Sequence, residues 1–189
     1  MVLAAVLLVT SCRYARELST LRKCEFRLSG VDNYVFSGIR MDEIQSYNDL
    51  NIGQLGKITA GMMKGNLPLS FIVHIEALNP NPHNASLNKL DYIAFIDDVQ
   101  IAEGSVTEKT VIAPSGGMSL IPLTVNTNLL DAFSKESLQA LFNLVLNLSD
   151  AGKTPTRIII KIKPTISIAG KDIVYPAYIR VKTEYSSGE

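Results

Sequence analysis

The side chains with the clearest chemical potential are two histidines, His74 and His83. His74 shares one face of an alternating apolar run with Glu76, and an imidazole beside a carboxylate can transfer protons. Two polar residues at i and i+2 are also what the solvent face of a β-strand presents, and we favour that interpretation. His83 follows two prolines in a predicted loop, where it is expected to be solvated. The histidines therefore do not predict a catalytic acid–base pair.

Metal, phosphate and nucleophile sites are also not indicated. Asp97-Asp98 offers two carboxylates, but hard cations such as Ca²⁺ take six or more oxygen ligands, and the flanking pattern favours a hairpin turn. Ser115-Gly116-Gly117 lacks the spacing of a phosphate loop. Cys24 alternates with apolar residues and is expected to be a buried, unreactive thiol. We predict a protein that is not an enzyme and holds no metal or cofactor.

Composition narrows the class of protein. The chain has 189 residues, of which 47% are hydrophobic and 19% charged, as expected for one globular domain with its own core. Its 18 basic residues equal its 18 acidic residues, so no net field attracts a polyanion. Two cysteines are too few for a disulfide framework. We therefore predict no nucleic-acid partner.

The residues before Cys12 have the pattern of an export signal. Val2–Val9 is an unbroken apolar run, shorter than the roughly 20 residues that span a bilayer and similar to the apolar part of a secretory signal. Val9-Thr10-Ser11-Cys12 resembles the lipobox of bacterial lipoproteins, although no basic residue precedes Val2. This resemblance implies cleavage before Cys12 and acylation of the cysteine, which gives a stable membrane anchor. The alternative is a buried N-terminal strand with Cys12 as an ordinary small residue.

These features divide the chain into three parts. We predict a signal peptide at 1–11, a lipidated tether at 12–23 and a single β-sandwich domain at 24–185. The expected location is the bacterial cell envelope, with the protein lipid-anchored to a membrane on its periplasmic or surface side.

The clearest strand signal begins at Leu67. One face of this run carries apolar residues and the other carries Ser70, His74 and Glu76, and the run stops at Asn79-Pro80-Asn81. The apolar residues are Leu69, Phe71, Val73, Ile75 and Ala77. Further strands are predicted at 24–28, 34–44, 87–96, 99–102, 109–113, 118–125, 157–166 and 173–181. Strands at this spacing, with Gly and Pro between them, favour an antiparallel β-sandwich.

Two segments have helical periodicity. Residues 48–64 predict a short, irregular helix capped by Asp49 or Asn51, because three glycines weaken it. Residues 128–150 predict a helix that begins after Ser134 and covers an open end or edge of the sandwich. Binding of a partner by this helix is the alternative. Arg157, Lys161 and Lys163 share one face of a later strand, which we interpret as protection of an exposed strand edge.

An ordered series of short motifs gives the chain a family resemblance. Asn79-Pro80-Asn81 is followed by Leu90-Asp91-Tyr92, by Val99 to Gly104, by Val111 to Pro114 and by Ile121-Pro122-Leu123. Over roughly 66–126 this series resembles the late embryogenesis abundant group 2 family, also called the WHy domain. The resemblance implies an immunoglobulin- or fibronectin-like β-sandwich with one or two accessory helices and a non-enzymatic role in stress protection. It also implies that Asn79, Pro80, Asn81, Leu90, Asp91 and Tyr92 are structural.

Two functions remain from the sequence. The first is a non-catalytic envelope lipoprotein with a structural or stress-protective role, whose partner is the membrane. The alternative is a binding module that recruits a lipid, glycan or protein partner at the cell envelope, for which the Leu130–Leu146 helix is the candidate surface. The absence of tryptophan weighs against a glycan, because such sites usually present flat aromatic rings.

Overall fold

The computed structural model describes residues 21, 23–136, 138–149, 156–168 and 171–184. Within these ranges the strands are β1 (Glu25–Phe36), β2 (Ile39–Arg40), β3 (Pro68–Asn79), β4 (Ala85–Leu87), β5 (Lys89–Ile96), β6 (Val99–Val106), β7 (Thr110–Ile112), β8 (Gly117–Asn128), β9 (Arg157–Ile168), β10 (Lys171–Val174) and β11 (Ile179–Glu184). The helices are α1 (Ile52–Met63), α2 (Leu129–Ala132) and α3 (Leu138–Leu148), with a 3-10 turn at Tyr47–Asp49. The mainly β, antiparallel sandwich predicted from the sequence is confirmed. Its helices number three in the described ranges instead of one or two.

Two antiparallel sheets form the layers of the sandwich. The first has the order β2-β1-β3-β8. In the second, β9 lies between β5 and the pair β10 and β11, and β6 follows β5. A separate ribbon joins β4 to β7. Antiparallel sheets alternate core-facing and outward-facing residues along each strand, so both layers contribute one apolar face to the core.

β3 is the central strand of the first sheet and pairs along its length with β1 and β8. Its alternation is the one predicted: Leu69, Phe71, Val73, Ile75 and Ala77 are buried in the core. Ser70, His74 and Glu76 lie on the outer face and are half-buried. β3 runs between two ends of the sandwich. We call the end where β3 begins at Pro68 the helical end, and the end where it stops at Asn79 the Asn79 end.

α3 closes the helical end. Its buried residues are Leu141, Phe142, Val145, Leu146 and Leu148. The Phe142 ring packs 6.4 Å from Phe36 and meets the edge of Tyr47 at 5.3 Å between centroids. The prediction that this helix packs on the core is confirmed. The predicted start after Ser134 is wrong, because Ser134 lies in a turn and α3 begins at Leu138.

α1 is a regular helix of 12 residues, so the expectation of an irregular one is wrong. Asn51 caps it: the Asn51 side chain accepts from the Gln54 amide at 2.9 Å, and the Gln54 side chain accepts from the Asn51 amide at 2.9 Å. Gly61 is needed where the chain turns back after α1. A Cβ there would lie 2.6 Å from the Asn66 carbonyl oxygen, so only glycine permits this close return of the chain.

Several predicted strand boundaries are wrong, because tertiary pairing extends or divides a run. The strand expected at 173–181 is two strands, β10 and β11. The strand expected at 24–28 and the first part of the strand expected at 34–44 form one strand, β1, which bulges at Leu28/Gly30 and Asp32/Val35. The rest of the second prediction is reduced to β2, and residues 41–44 form no strand. Gly38 lies in the turn to β2 with φ of +74°. Asn88 divides β4 from β5, and β6 continues past Gly104 to Val106.

The interpretation of the basic residues on β9 is also wrong. β9 is an interior strand, so Lys161 and Lys163 protect no sheet edge. The Lys161 Nζ lies 4.5 Å from the centre of the Phe95 ring, and the Lys163 Nζ lies 5.4 Å from that of Tyr178. The lysines therefore cover aromatic rings on the solvent side of the second sheet.

The hairpin between β5 and β6 turns at Asp97-Asp98, as predicted. Both residues have positive φ, 46° and 69°, which identifies a type I′ turn. The Asp97 carboxylate accepts from the Arg157 amide at 2.9 Å, and Asp98 forms ion pairs with Arg157 and Arg180. Both carboxylates therefore already have partners, which are two arginine side chains and a backbone amide.

The turn gives a test of its backbone conformation. Asp98→Ala and Asp98→Gly both remove the carboxylate, but only alanine is strained at φ of 69°. We expect the glycine variant to be more stable by about 1 kcal/mol in urea unfolding. Equal free energies of unfolding would show that this residue does not hold the left-handed conformation in solution.

None of the described helices is long and apolar enough to cross a membrane.

Candidate functional site

The motif residues lie in two places, and Cys12 lies outside the described residues. Asn79, Pro80 and Asn81 form the loop that ends β3 at the Asn79 end. Leu90-Asp91-Tyr92 lies on β5 in the other sheet.

Asn79 is completely buried, with 0% of its surface exposed. Its side-chain amide donates to the carbonyl oxygens of His83 at 2.8 Å and Ile112 at 3.1 Å. Its Oδ1 accepts from the backbone amide of Asn81 at 3.1 Å and from the Asn81 side chain at 2.8 Å. Every polar atom of this side chain is therefore satisfied inside the protein.

The backbone of the same loop binds the turn between β7 and β8. The Asn79 carbonyl accepts from the Gly116 amide at 2.8 Å, and the Asn81 carbonyl accepts from the Ser115 amide at 2.7 Å. Ser115 and Gly116 have φ of 57° and 90°. The Ser115 and Gly116 amides are thus bound to the Asn79 loop, and the Gly117 amide donates to the Pro114 carbonyl at 3.2 Å, so all three amides already have partners within the fold.

Cys24 packs against this network. Its Sγ lies 3.8 Å from the Asn79 Oδ1, and burial raises the pKa of the thiol to about 11. At neutral pH the group is a thiol, and the thiolate is the nucleophilic form. The structure therefore agrees with the expectation of a buried, unreactive cysteine.

Tyr92 connects the two sheets. Its hydroxyl donates to the carbonyl oxygen of Thr124 on β8 at 2.6 Å, and burial raises the pKa of the phenol. The ring crosses Gly104, where a Cβ would lie 2.5 Å from the Tyr92 hydroxyl oxygen. A second bridge runs from the Thr127 hydroxyl to the Ile101 carbonyl at 2.6 Å. The neighbouring Leu90 is buried in the core.

Asp91 points outward from the same strand. Burial, the largest single influence, opposes its ionisation, but hydrogen bonds from Lys89 and Ser105 and the charges of Lys89 and Lys163 together lower its pKa. The Lys89 Nζ lies 2.7 Å from the Asp91 Oδ1. The carboxylate is therefore a fixed anion at neutral pH and a poor proton donor.

An open hollow lies beside Asp91 on the outer face of the second sheet. It has a volume of about 320 Å³ and is lined by Asp91, Tyr92, Ile93, Glu103, Gly104, Ser105 and Tyr178. The Ser105 hydroxyl donates to the Asp91 carboxylate. The hollow has polar groups suited to hydrogen bonding, and its Asp91 and Ser105 are already bound to each other.

His74 pairs with Asp32, a contact that sequence spacing did not reveal. The His74 Nε2 lies 3.0 Å from the Asp32 Oδ2, whereas its Nδ1 is buried without a partner. Glu76 instead pairs with Arg27. Because Asp32 lies on a neighbouring strand, only the register of β1 against β3 brings it to His74. The nearby Ser29 hydroxyl donates to the His74 backbone carbonyl at 3.3 Å.

A protein site for a metal ion requires several ligating side chains close together. In the described ranges no group of three or more His, Cys, Asp or Glu side chains is placed to hold an ion. His83 is exposed, and it serves the fold through its carbonyl oxygen.

Comparisons with known proteins give similarities in fold only. No family model matches the chain, and no curated protein matches it. A crystal structure of a protein from Archaeoglobus fulgidus covers 86% of this chain and 98% of its own at 12% identity, with a TM-score of 0.39. A solution structure of a candidate late embryogenesis abundant protein covers 98% and 84% at 13% identity, with a TM-score of 0.42. A solution structure of a protein from Arabidopsis thaliana covers 86% and 77% at 12% identity, with a TM-score of 0.42. Similarity at this level carries no conclusion about activity, ligand or partner.

The Asn79 network predicts a large loss of stability on substitution. Asn79→Ala leaves two carbonyls and two amide groups without their buried partner, so we expect a loss of about 3 kcal/mol in urea unfolding. Asn84→Ala, an exposed asparagine in the same loop, is the matched control and should change stability by less than about 0.5 kcal/mol. Similar values for both variants would contradict a structural role for Asn79.

Asp91 gives a prediction about pH. The folded-state pKa of its carboxyl group is lower than that of an ordinary aspartate, so ionisation of this group stabilises the fold above the ordinary pKa, and this contribution disappears as pH falls through the folded pKa. Carboxyl NMR titration should give a midpoint below that of an exposed aspartate, and Lys89→Met should raise this midpoint. A midpoint unaffected by the lysine would show that the ion pair does not form in solution.

Proposed function

We propose that this chain is a non-catalytic lipoprotein of the bacterial cell envelope, in which Cys12 anchors a β-sandwich with a structural or stress-protective role. Three features support the proposal: the lipobox-like Val9-Thr10-Ser11-Cys12, the ordered motif series, and the way in which the fold uses the motif residues.

The internal use of Asn79 is the observation that carries the proposal. In enzymes, polar side chains with unusual environments face a cleft and remain available to substrate. Here the most buried polar side chain of the motif makes all of its hydrogen bonds to the protein's own loops. The motif therefore supports a non-catalytic scaffold that acts through its outer surfaces.

The remaining reactive groups agree with this proposal. The Cys24 thiol is buried with its pKa raised to about 11, and the Asp91 carboxylate is held by Lys89 and Ser105. Neither group is available as a nucleophile or proton donor at neutral pH.

Detergent-phase partitioning tests the anchor. The full chain expressed in a bacterial host should enter the detergent phase, and Cys12→Ala should remain in the aqueous phase, because the acyl chains supply most of the membrane affinity. Cys24→Ala is the matched control, since it removes a cysteine that is buried in the fold, and it should partition as the unmodified chain does. Equal partitioning of the unmodified and Cys12→Ala chains would overturn the proposal that Cys12 carries a lipid anchor.

The proposed protective role is tested by the recovery of a labile enzyme after freezing and thawing. A labile enzyme such as lactate dehydrogenase is frozen and thawed with equimolar amounts of this protein or of serum albumin. Greater recovery of enzyme activity with this protein supports the role, and recovery no better than with albumin argues against it.

A further inference from the structure

We propose that an apolar patch at the Asn79 end enters the surface of the lipid bilayer to which the domain is tethered. The patch consists of Leu78, Met118 and Leu120, which lie on the outer face of the first sheet. This inference rests on the proposed function for its anchor. It adds which face of the sandwich meets the membrane and by what chemistry.

The patch is formed by neighbouring strands. Leu78 on β3 pairs with Met118 on β8, and Leu120 follows two residues later on the same outward face. The Ser119 side chain lies on the opposite face of β8, and its hydroxyl donates to the Val111 carbonyl at 3.0 Å, so β7 lies beside this part of β8. Met118 and Leu120 are 60% and 56% exposed, and Leu78 is half-buried. Large apolar side chains grouped on a surface in this way indicate a contact with protein or membrane.

The N-terminal segment enters the domain beside the patch. Leu21 is buried, and its carbonyl accepts from the Cys24 amide at 3.1 Å. Glu25 then pairs with Leu78, which pairs with Met118, so these three residues form one row across the first sheet. Because adjacent strands lie about 4.8 Å apart, Met118 is roughly 10 Å from the residue at which β1 begins.

The tether is short enough to hold this end at the membrane. Residues 12–20 separate the lipid-bearing cysteine from Leu21, and a fully extended chain of that length reaches at most about 30 Å. A domain held this closely by one end presents that end to the bilayer. Val99, Val111, Val174 and Tyr178 are also exposed but lie outside the patch. Two further exposed apolar residues, Ile52 and Met63, 90% and 85% exposed, belong to α1 at the helical end. They are separated from the patch by the length of β3, roughly 30 Å.

The charges around the patch favour an apolar contact over an electrostatic one. In the next row, Glu76 pairs with Leu120 in register and forms an ion pair with Arg27. Lys109 and Glu108, both exposed, precede β7 and offset each other. The contact is therefore expected with zwitterionic phosphatidylcholine and should change little with salt.

The absence of tryptophan makes a direct test possible. Met118→Trp and Met63→Trp each place a single fluorescent reporter, one in the patch and one on α1. The protein form starts at Cys12, retains every described residue, and is coupled through the Cys12 thiol to a maleimide lipid in phosphatidylcholine vesicles. Cys24 does not compete, because it is buried with a pKa of about 11. The vesicles contain lipids brominated near the headgroup, which quench nearby tryptophan.

We expect the emission of the M118W protein to fall by roughly half, as for a side chain at the headgroup boundary, and that of the M63W protein to remain unchanged. Lack of quenching in M118W, or equal quenching of both proteins, would overturn the proposal that the patch enters the bilayer. Leu120→Trp replaces M118W if circular dichroism shows that the latter is misfolded. Chemical coupling makes this result independent of acylation in cells, so failure of the patch and failure of the proposed anchor are distinguished.

Discussion

A buried amide at the end of the central strand is the constraint on which the Asn79 end of the structure depends. A polar side chain removed from water costs free energy unless every one of its hydrogen bonds is replaced. Asn79 meets this condition with carbonyl oxygens from its own loop and from β7, and with amide groups of Asn81. Because the partners come from separate segments, the network fixes the relative positions of β3, β7 and the loop after β3.

The other end and the flanks are held by different means. α3 covers the helical end with an apolar face, which is the usual way for a helix to gain stability from a sheet. The hydrogen bonds of Tyr92 to β8 and of Thr127 to β6 join strands that belong to different sheets. Gly104 allows the first bridge by leaving room for the Tyr92 ring. Directional polar contacts thus set the position of one sheet on the other, while apolar burial supplies most of the stability.

Local pattern predicted the features that depend on neighbours in sequence. The alternation of β3 and the tight hairpin turn at Asp97-Asp98 were correctly predicted, since both follow from side-chain period and turn chemistry. Partners distant in sequence were not predicted. The pairing of His74 with Asp32 depends on the register of β1 against β3, and the basic face of β9 was misinterpreted because strand order is not encoded locally. The motif residues could be named from the sequence, but the hydrogen bonds that give Asn79 its role required the fold.

The central claim is that the Asn79 loop is a rigid part of the core architecture and not a mobile, ligand-seeking loop. Native-state hydrogen exchange tests it directly at the amides of Asn81, Ser115 and Gly116, which donate into this network. These amides should exchange only through global unfolding, with protection equal to that of the centre of β3. Exchange at the rate of an exposed loop would contradict the account.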